Sequence, residues 1–538
     1  MIINADDSGF IVYQGDRHFG APPSTYLTDI RSCDADTLVG TRIVYSAESG
    51  KLTIQCDFLG TEPVYYCHQN QSLWVTDRIE NLTRVVSCTK NPVQIYTSVM
   101  NGATIADNTI FNEVKQTRPL QKITFDCANN RISVDHGNSW SSDPDADVAQ
   151  LYRQIDDRLF AVLQASPHTN LMLSAGWDSR VLMADSARIK QTYTHGDLTS
   201  REIKIAFKLG SSLQVPMQLA TLEETPYGAK NALEMLHNNG QCYFPHWYHA
   251  AQKLARVSSL PLSAGLMVEH FSGHYGVNSL PGEGRLMRLF HSMVLPDKFD
   301  NIDNNSAIDF LAPRLADGFK SLPWFFNEDV NFSDLTNDFT DDVRHSLSEY
   351  VGFGTSGIQE LSERFKIEHS LRQYFSMQTK SAANLFGYHH PFTDSKLAQL
   401  VLTLKYRHRI NYKLSRHVVK SRAPELLELP LAATLVKASS PIIMQEASRA
   451  VRVTGELMYS KLTGKLPKGL GWNNFQFLNR TSAFHEYADM LVDDIWDKPK
   501  IHRFLENYSK CNAEAYSILI LLTKMVTTDF RLHPQQYQ

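Results

Sequence analysis

From residue 148 to residue 212 the apolar spacing switches repeatedly between helix and strand, and this alternation restricts the fold more than any other feature of the chain. "VAQLYRQIDDRLFAVLQAS" has helical spacing, "NLMLS" reads as a strand, "RVLMADSARI" as a helix, "QTYTHG" as a second strand and "REIKIAFKLGSSL" as another helix. A βαβα order predicts a parallel sheet. Ahead of it, to about residue 135, short runs rich in Val, Ile, Tyr and Thr ("RIVYSAES", "KLTIQCDFLG", "SLWVTD", "KITFDCA") alternate with turn residues. These predict antiparallel sheet with hairpin turns. The polar, aperiodic segment "GNSWSSDPDAD" separates the two regimes and places a domain boundary there, giving domains over 1–140 and 141–538.

Beyond about residue 245 the pattern is mostly helical, with "SERFKIEHSLRQYFSMQTKSAANLF" the longest clear case. "DNIDNNSAID" reads as exposed loop, and the acidic run "NEDVNFSDLTNDFTDD" as a solvated face or loop. With 538 residues, 43% hydrophobic and 20% charged, and a formal charge of −4, the chain reads as a soluble globular protein of two or three domains. That charge disfavours a nucleic-acid partner. "MIINADDSGF" lacks the basic and apolar regions of a secretory signal, so the expected location is cytoplasmic. "AYSILILLTKMV" is well short of the roughly 20 apolar residues a membrane span needs, and reads as a core helix. Seven scattered cysteines without CxxC spacing predict buried thiols rather than disulfides or a zinc site.

The stretch "LMLSAGWDSRVLMA" puts Ser174, Gly176, Asp178 and Ser179 in a tight turn between the end of a strand, at Leu173, and the start of a helix. Unpaired amides at such a turn attract phosphate, two hydroxyls can donate to phosphate oxygens, and one carboxylate can hold the accompanying magnesium. The loop is neither a Walker A motif nor GxGxxG.

The order S-x-G-x-D-S resembles the pyrophosphate loop of the N-type ATP pyrophosphatases, in particular the synthetase domain of the asparagine synthetase family. Ala175 stands where the family has its first glycine, and a positive φ there would strain the loop by on the order of 1 kcal/mol. "TYTHGDLTSREIKIAFKLGSSL" resembles the second strand and helix, which implies adenine near His195 and Gly196. "LSAGLMVEHFSGHYG" resembles the second phosphate-side loop through Gly265, Gly273 and Tyr275, with Glu269 at the position of a magnesium-binding aspartate and Leu266 where the family carries a glutamate. "GYHHPFTDSKLAQLVLTL" matches a later segment through Pro391, Phe392, Asp394 and Leu397, and Lys437 falls where the family has a charge-stabilising lysine.

The amino-terminal region resembles a class II glutamine amidotransferase domain through Asp57, Gly60, Pro63, Tyr65, Tyr66, Leu73 and Asp77. Working members carry a cysteine directly after the initiator methionine; here that residue is Ile2, so no glutaminase activity is expected.

The resemblance implies an Ntn-type antiparallel sandwich followed by an α/β ATP pyrophosphatase domain with a large helical portion. It implies a ligase that uses ATP and Mg2+ to adenylate a small-molecule or peptide carboxylate and passes it to an amine donor or free ammonia. The β-lactam synthetases and lasso-peptide cyclases are similar in this respect. ATP and pyrophosphate binding would fall to Leu173, Ser174, Gly176, Asp178, Ser179, His195, Gly196 and Gly265, metal binding to Asp178 and Glu269, and catalysis to Lys437 and Glu269. Two other readings stand beside it: a non-catalytic relative that binds a nucleotide or partner, and a sulfur- or ammonia-transferring nucleotide modifier. His246 and His249, spaced i, i+3, read as pocket wall or packing rather than as metal ligands.

Overall fold

A computed structural model describes residues 10–14, 17–19, 26–27, 40–46, 48–137, 141–196, 198–212, 214–220, 227–276, 285–316, 324–327, 332–463, 483–507 and 512–537. Among the described residues ten strands belong to the amino-terminal region: β1 Phe10–Gln14, β2 Arg17–Phe19, β3 Tyr26–Leu27, β4 Thr41–Ser46, β5 Lys51–Cys56, β6 Tyr65–Gln69, β7 Ser72–Thr76, β8 Lys115–Gln116, β9 Gln121–Asp126 and β10 Arg131–His136. They form two sheets, ordered β2-β1-β7-β6-β8 and β10-β9-β5-β4-β3. Pairing is antiparallel as the hairpin pattern predicts, except that β1 runs parallel to β7. Alternate residues of both sheets, among them Ile43, Ile54, Phe125, Leu73 and Val75, meet in one buried core. Asp57 closes the turn after β5, its Oδ2 accepting from Gly40 N–H at 2.6 Å and its Oδ1 from Thr61 N–H at 2.8 Å.

The second architecture is a parallel sheet of β11 Thr169–Met172, β12 Ile189–His195, β13 Met217–Ala220, β14 Leu262–Ser263 and β15 Tyr388–His389, in the order β13-β12-β11-β14-β15. Every residue of β11 is buried, as expected for a central strand covered on both faces. Helices Val148–Ala165, Trp177–Met183 and Arg201–Ser212 supply the covering apolar stripes. The long apolar helix, Asn512–Leu532, lies in the core through Leu519, Leu522, Met525 and Val526, and no helix among the described residues is long and apolar enough to cross a membrane.

One loop expectation is corrected, and the acidic run, read as a solvated face or loop, is from Phe332 on the solvated face of a helix. "DNIDNNSAID" contains the start of helix Asn304–Leu315, which Asp303 caps by accepting from Ser306 N–H at 3.0 Å. Within the acidic run, Phe332–Gly352 is a helix whose Leu335, Phe339 and Val343 recur at helical spacing and enter the core. In both, the polar residues occupy the outer face or the cap, so the three or four apolar positions decide the structure. The segment read as one long helix is three: Ile358–Lys366, a π-helical stretch Ile367–Phe375, and Met377–Phe386. Buried charges concentrate at the π-helix. Glu368 accepts from Arg118 Nε at 2.7 Å, and Arg372 donates to the Thr117 carbonyl at 2.5 Å, tying the helical region to the amino-terminal sheets. The adjoining Arg118 guanidinium holds the Glu368 carboxyl down at about 2 although burial opposes it.

Candidate functional site

The chain builds β12 and β13 to one side of β11, then places β14 and β15 on the other. Such a reversal opens a crevice at the carboxyl ends of the two strands where the direction changes. The loop after β11 and the loop after β14 meet there. A Cβ placed on Gly265 would lie 2.4 Å from the Cβ of Asp178, so only glycine permits this approach.

The first loop is organised from within. Ser174 N–H donates to Ser179 Oγ at 2.9 Å, the two serine hydroxyls are 2.9 Å apart, and Gly176 N–H donates to Ser174 Oγ at 3.2 Å. Ala175 is not among the residues with positive φ, so alanine brings no strain at that position. Its N–H donates to Glu202 Oε1 at 2.6 Å. In the second loop Met267 does adopt positive φ (65°), a conformation that costs a side-chain-bearing residue about 1 kcal/mol or more.

Arg180 holds the first loop from below. Fully buried, it donates to the carbonyls of Ala175 (2.7 Å), Gly176 (3.0 Å), Leu426 (3.2 Å), Leu429 (3.4 Å) and Pro430 (2.6 Å). Burial lowers its pKa to about 10 despite the charge of Glu202. The role was hidden in the sequence because an arginine after the motif serine reads as surface. Its place within the apolar run "RVLM" was the one clue to burial.

Asp178 and Glu269 are the electrostatic centre. Burial pushes Asp178 up to about 7; burial, then repulsion from Asp178, pushes Glu269 up to about 8. Glu269 Oε2 has no hydrogen-bond partner. Two close oxygen ligands, one of them orphaned, match a hard cation that takes one or two carboxylates and completes its shell with phosphates and water. Among the described residues no group of three or more His, Cys, Asp or Glu is placed to hold a metal ion. Glu202 is a third carboxylate, raised by burial, that sequence reading passed over.

Two cavities join at Ser174, Asp178 and Glu202, which line both. The smaller, about 260 Å³, also receives Leu173, Ser179, His195, Gly265 and Leu266. His195 ends β12 at 3% exposure, and neither ring nitrogen has a partner. Burial lowers its pKa to about 3, so at neutral pH the ring offers one donor and one acceptor. Gly196 follows with φ 134°, its N–H donating to the Ala220 carbonyl at 3.1 Å. The larger cavity, about 630 Å³, is walled by Trp177, which stacks on Tyr412 with ring centroids 5.7 Å apart.

The remaining sequence candidates line neither cavity. Lys437 lines neither cavity; its side chain is 62% exposed and pairs with Glu428 at 2.7 Å. Glu269 contributes to neither lining and stands beside Asp178. Asp394 caps helix Ser395–Thr403 through Leu397 N–H (2.8 Å) and receives both arms of Arg158 at 2.9 and 2.5 Å, a structural role. Ile2 lies outside the described residues. No protein-family model matches this chain, and no curated protein matches it in sequence.

Proposed function

We propose that the chain is an ATP-dependent, AMP-forming amide ligase of the asparagine synthetase type without glutaminase activity. The carrying observation is the junction of the Ser174–Ser179 loop with the Gly265 loop at the turning point of a parallel sheet, where Asp178 and Glu269 stand together. In this reading residues 1–140 form a glutamine amidotransferase-like domain and residues 141–538 an ATP pyrophosphatase domain.

The adenosine of ATP would occupy the smaller cavity beside His195, and the phosphates would cross the neck at Ser174 and Asp178. Asp178 and Glu269 would hold magnesium, which supplies the positive charge that lets phosphates lie beside carboxylates. A substrate carboxylate attacks the α-phosphorus and the bond to the β-phosphate oxygen breaks, releasing pyrophosphate. The acyl-adenylate then loses AMP to an attacking amine. Ser174 and Ser179 hydroxyls orient the phosphates, and Arg180 keeps their loop from shifting as charge moves across it. Leu266 can take no proton from the amine; in this reading Glu202, which lines both cavities and is raised by burial, would take it.

A non-catalytic nucleotide-binding relative is the second reading, favoured by the position of Lys437 outside both cavities. Exchange of labelled pyrophosphate into ATP, dependent on an added carboxylate, separates the two. Exchange supports the ligase, and tight ATP binding without exchange across a broad carboxylate panel supports the binding protein.

A further inference from the structure

Helices Ala483–Met490 and Lys498–Asn507 pack against each other and line neither cavity. Phe484, Tyr487 and Ala488 of the first and Ile501 and Leu505 of the second are buried in the helical core, so neither helix is free to rotate. Lys498 ties their ends together, its Nζ donating to the carbonyls of Asp489 (3.2 Å) and Leu491 (2.8 Å). This packing brings His485, exposed on the first helix, beside His502, half-buried on the second. Their rings are nearly parallel, with 13° between the planes and 5.7 Å between centroids, and the two Nδ1 atoms face each other at 3.4 Å.

A third residue sets the tautomer. Asp489, one turn beyond His485 on the same helix, stands 3.2 Å from His502 Nε2. Its carboxylate accepts that N–H, which leaves the lone pair of His502 on Nδ1, directed at His485. Other histidines of the chain use their nitrogens differently: His369 on the Phe365 carbonyl and the Ala106 N–H, His389 on Ser166, His390 on Thr379. A proton shared by two neutral rings at 3.4 Å is a long hydrogen bond, outside the usual range of roughly 2.7–3.2 Å. Two imidazoles bound to one zinc ion at about 2.0–2.1 Å and the tetrahedral angle have their nitrogens about 3.3 Å apart, which matches the observed spacing.

We propose that His485 and His502 form a two-histidine site for a divalent transition metal of the zinc, nickel and copper class, with Asp489 orienting His502 and water completing the coordination shell. Imidazole nitrogen selects this class over magnesium and calcium, which take oxygen ligands. Asp489 is a positioning residue and not a ligand, since it meets the far nitrogen of His502. The ion would clip one helix to the other and stabilise the folded chain in proportion to its occupancy. The site stands apart from the adenylating crevice and does not rest on the ligase reading.

The test uses the full chain without an affinity tag, stripped with a chelator and kept in excess magnesium. H485A, H502A and D489N are compared with the wild type, and metal-free thermal midpoints first establish that each is folded. Zinc, nickel and copper ions are then titrated calorimetrically, and the copper-loaded protein is read by electron paramagnetic resonance. Affinity for at least one of these ions is expected to fall more than about tenfold in either histidine variant and about tenfold in D489N. The copper spectrum should show two nitrogen ligands in the wild type and one in H485A. His485 is exposed, so H485A reports on the site even where H502A does not fold. Wild-type protein that binds none of the three ions at millimolar concentration overturns the site, as does affinity unchanged in folded H485A. AMP formation is followed in the same samples: its absence from the wild type counts against the ligase reading alone, and loss of metal in H485A with AMP formation intact supports the metal site alone.

Discussion

Gly265 and Asp178 touch across the switch point, and a methyl group at position 265 would sit 2.4 Å from the aspartate Cβ. Neither neighbour can yield easily, because Asp178 backbone atoms lie 3.2 and 3.3 Å from the same point. Gly265→Ala is therefore expected to destabilise the fold by about 1–3 kcal/mol and to weaken Mg-ATP binding more than the thermal shift alone accounts for. Denaturant unfolding and calorimetric titration of the same variant check both halves.

The raised carboxyls make stability depend on pH with a definite sign. Asp178 and Glu269 bind protons in the folded chain up to about 7 and about 8, well above the range in which the unfolded chain releases them. Folding then favours protonation, so the contribution of this pair is fully present at low pH and is lost as pH rises through 7 to 8. Glu269→Gln should flatten that decline in the nucleotide-free protein, leaving the part that burial of Asp178 contributes. Thermal midpoints followed from about pH 5 to about pH 8.5 check this; an equally steep decline in the variant contradicts it.

Arg180 donates to five backbone carbonyls, two of them through fully buried hydrogen bonds. Arg180→Ala is expected to cost roughly 3 kcal/mol or more, since it leaves buried acceptors unpaired and opens a cavity. Arg180→Lys should recover only part of this, having one point of charge in place of a planar fork. Denaturation midpoints in urea decide it.

Lys437 pairs with Glu428 at the surface, where such pairs contribute about 0–1 kcal/mol. Lys437→Ala should leave stability and pyrophosphate affinity nearly unchanged. A loss of affinity beyond about tenfold would show that this lysine swings into the site when ligand binds.

Much of the scaffold was legible in the residues. Short runs rich in β-formers marked β4, β5, β7 and β9 among the amino-terminal strands, and the βαβα spacing marked the parallel sheet, because apolar periodicity directly reports which face is buried. The helices at Asn304–Leu315 and Phe332–Gly352 were missed because their acidic outer faces outnumber the apolar positions that fix them. The site divided the same way. The Ser174–Ser179 loop is local and visible, whereas Glu202 and Tyr412 arrive from distant parts of the chain. Nothing in their own neighbourhoods marks them, since only the folded topology brings them to one crevice. Ala175 warned of strain that its backbone conformation does not carry, because φ is set by the surrounding loop and not by the expectation that glycine is needed there.

The most direct measurement is AMP and pyrophosphate release from Mg-ATP by the purified chain, with a panel of carboxylates and amines, alongside Asp178→Ala. Carboxylate-dependent release of AMP and pyrophosphate in equal amounts, abolished by Asp178→Ala, is the expected result. Release of ADP in place of AMP, or AMP formation that survives intact in Asp178→Ala, would contradict the assignment of this crevice as an adenylating site.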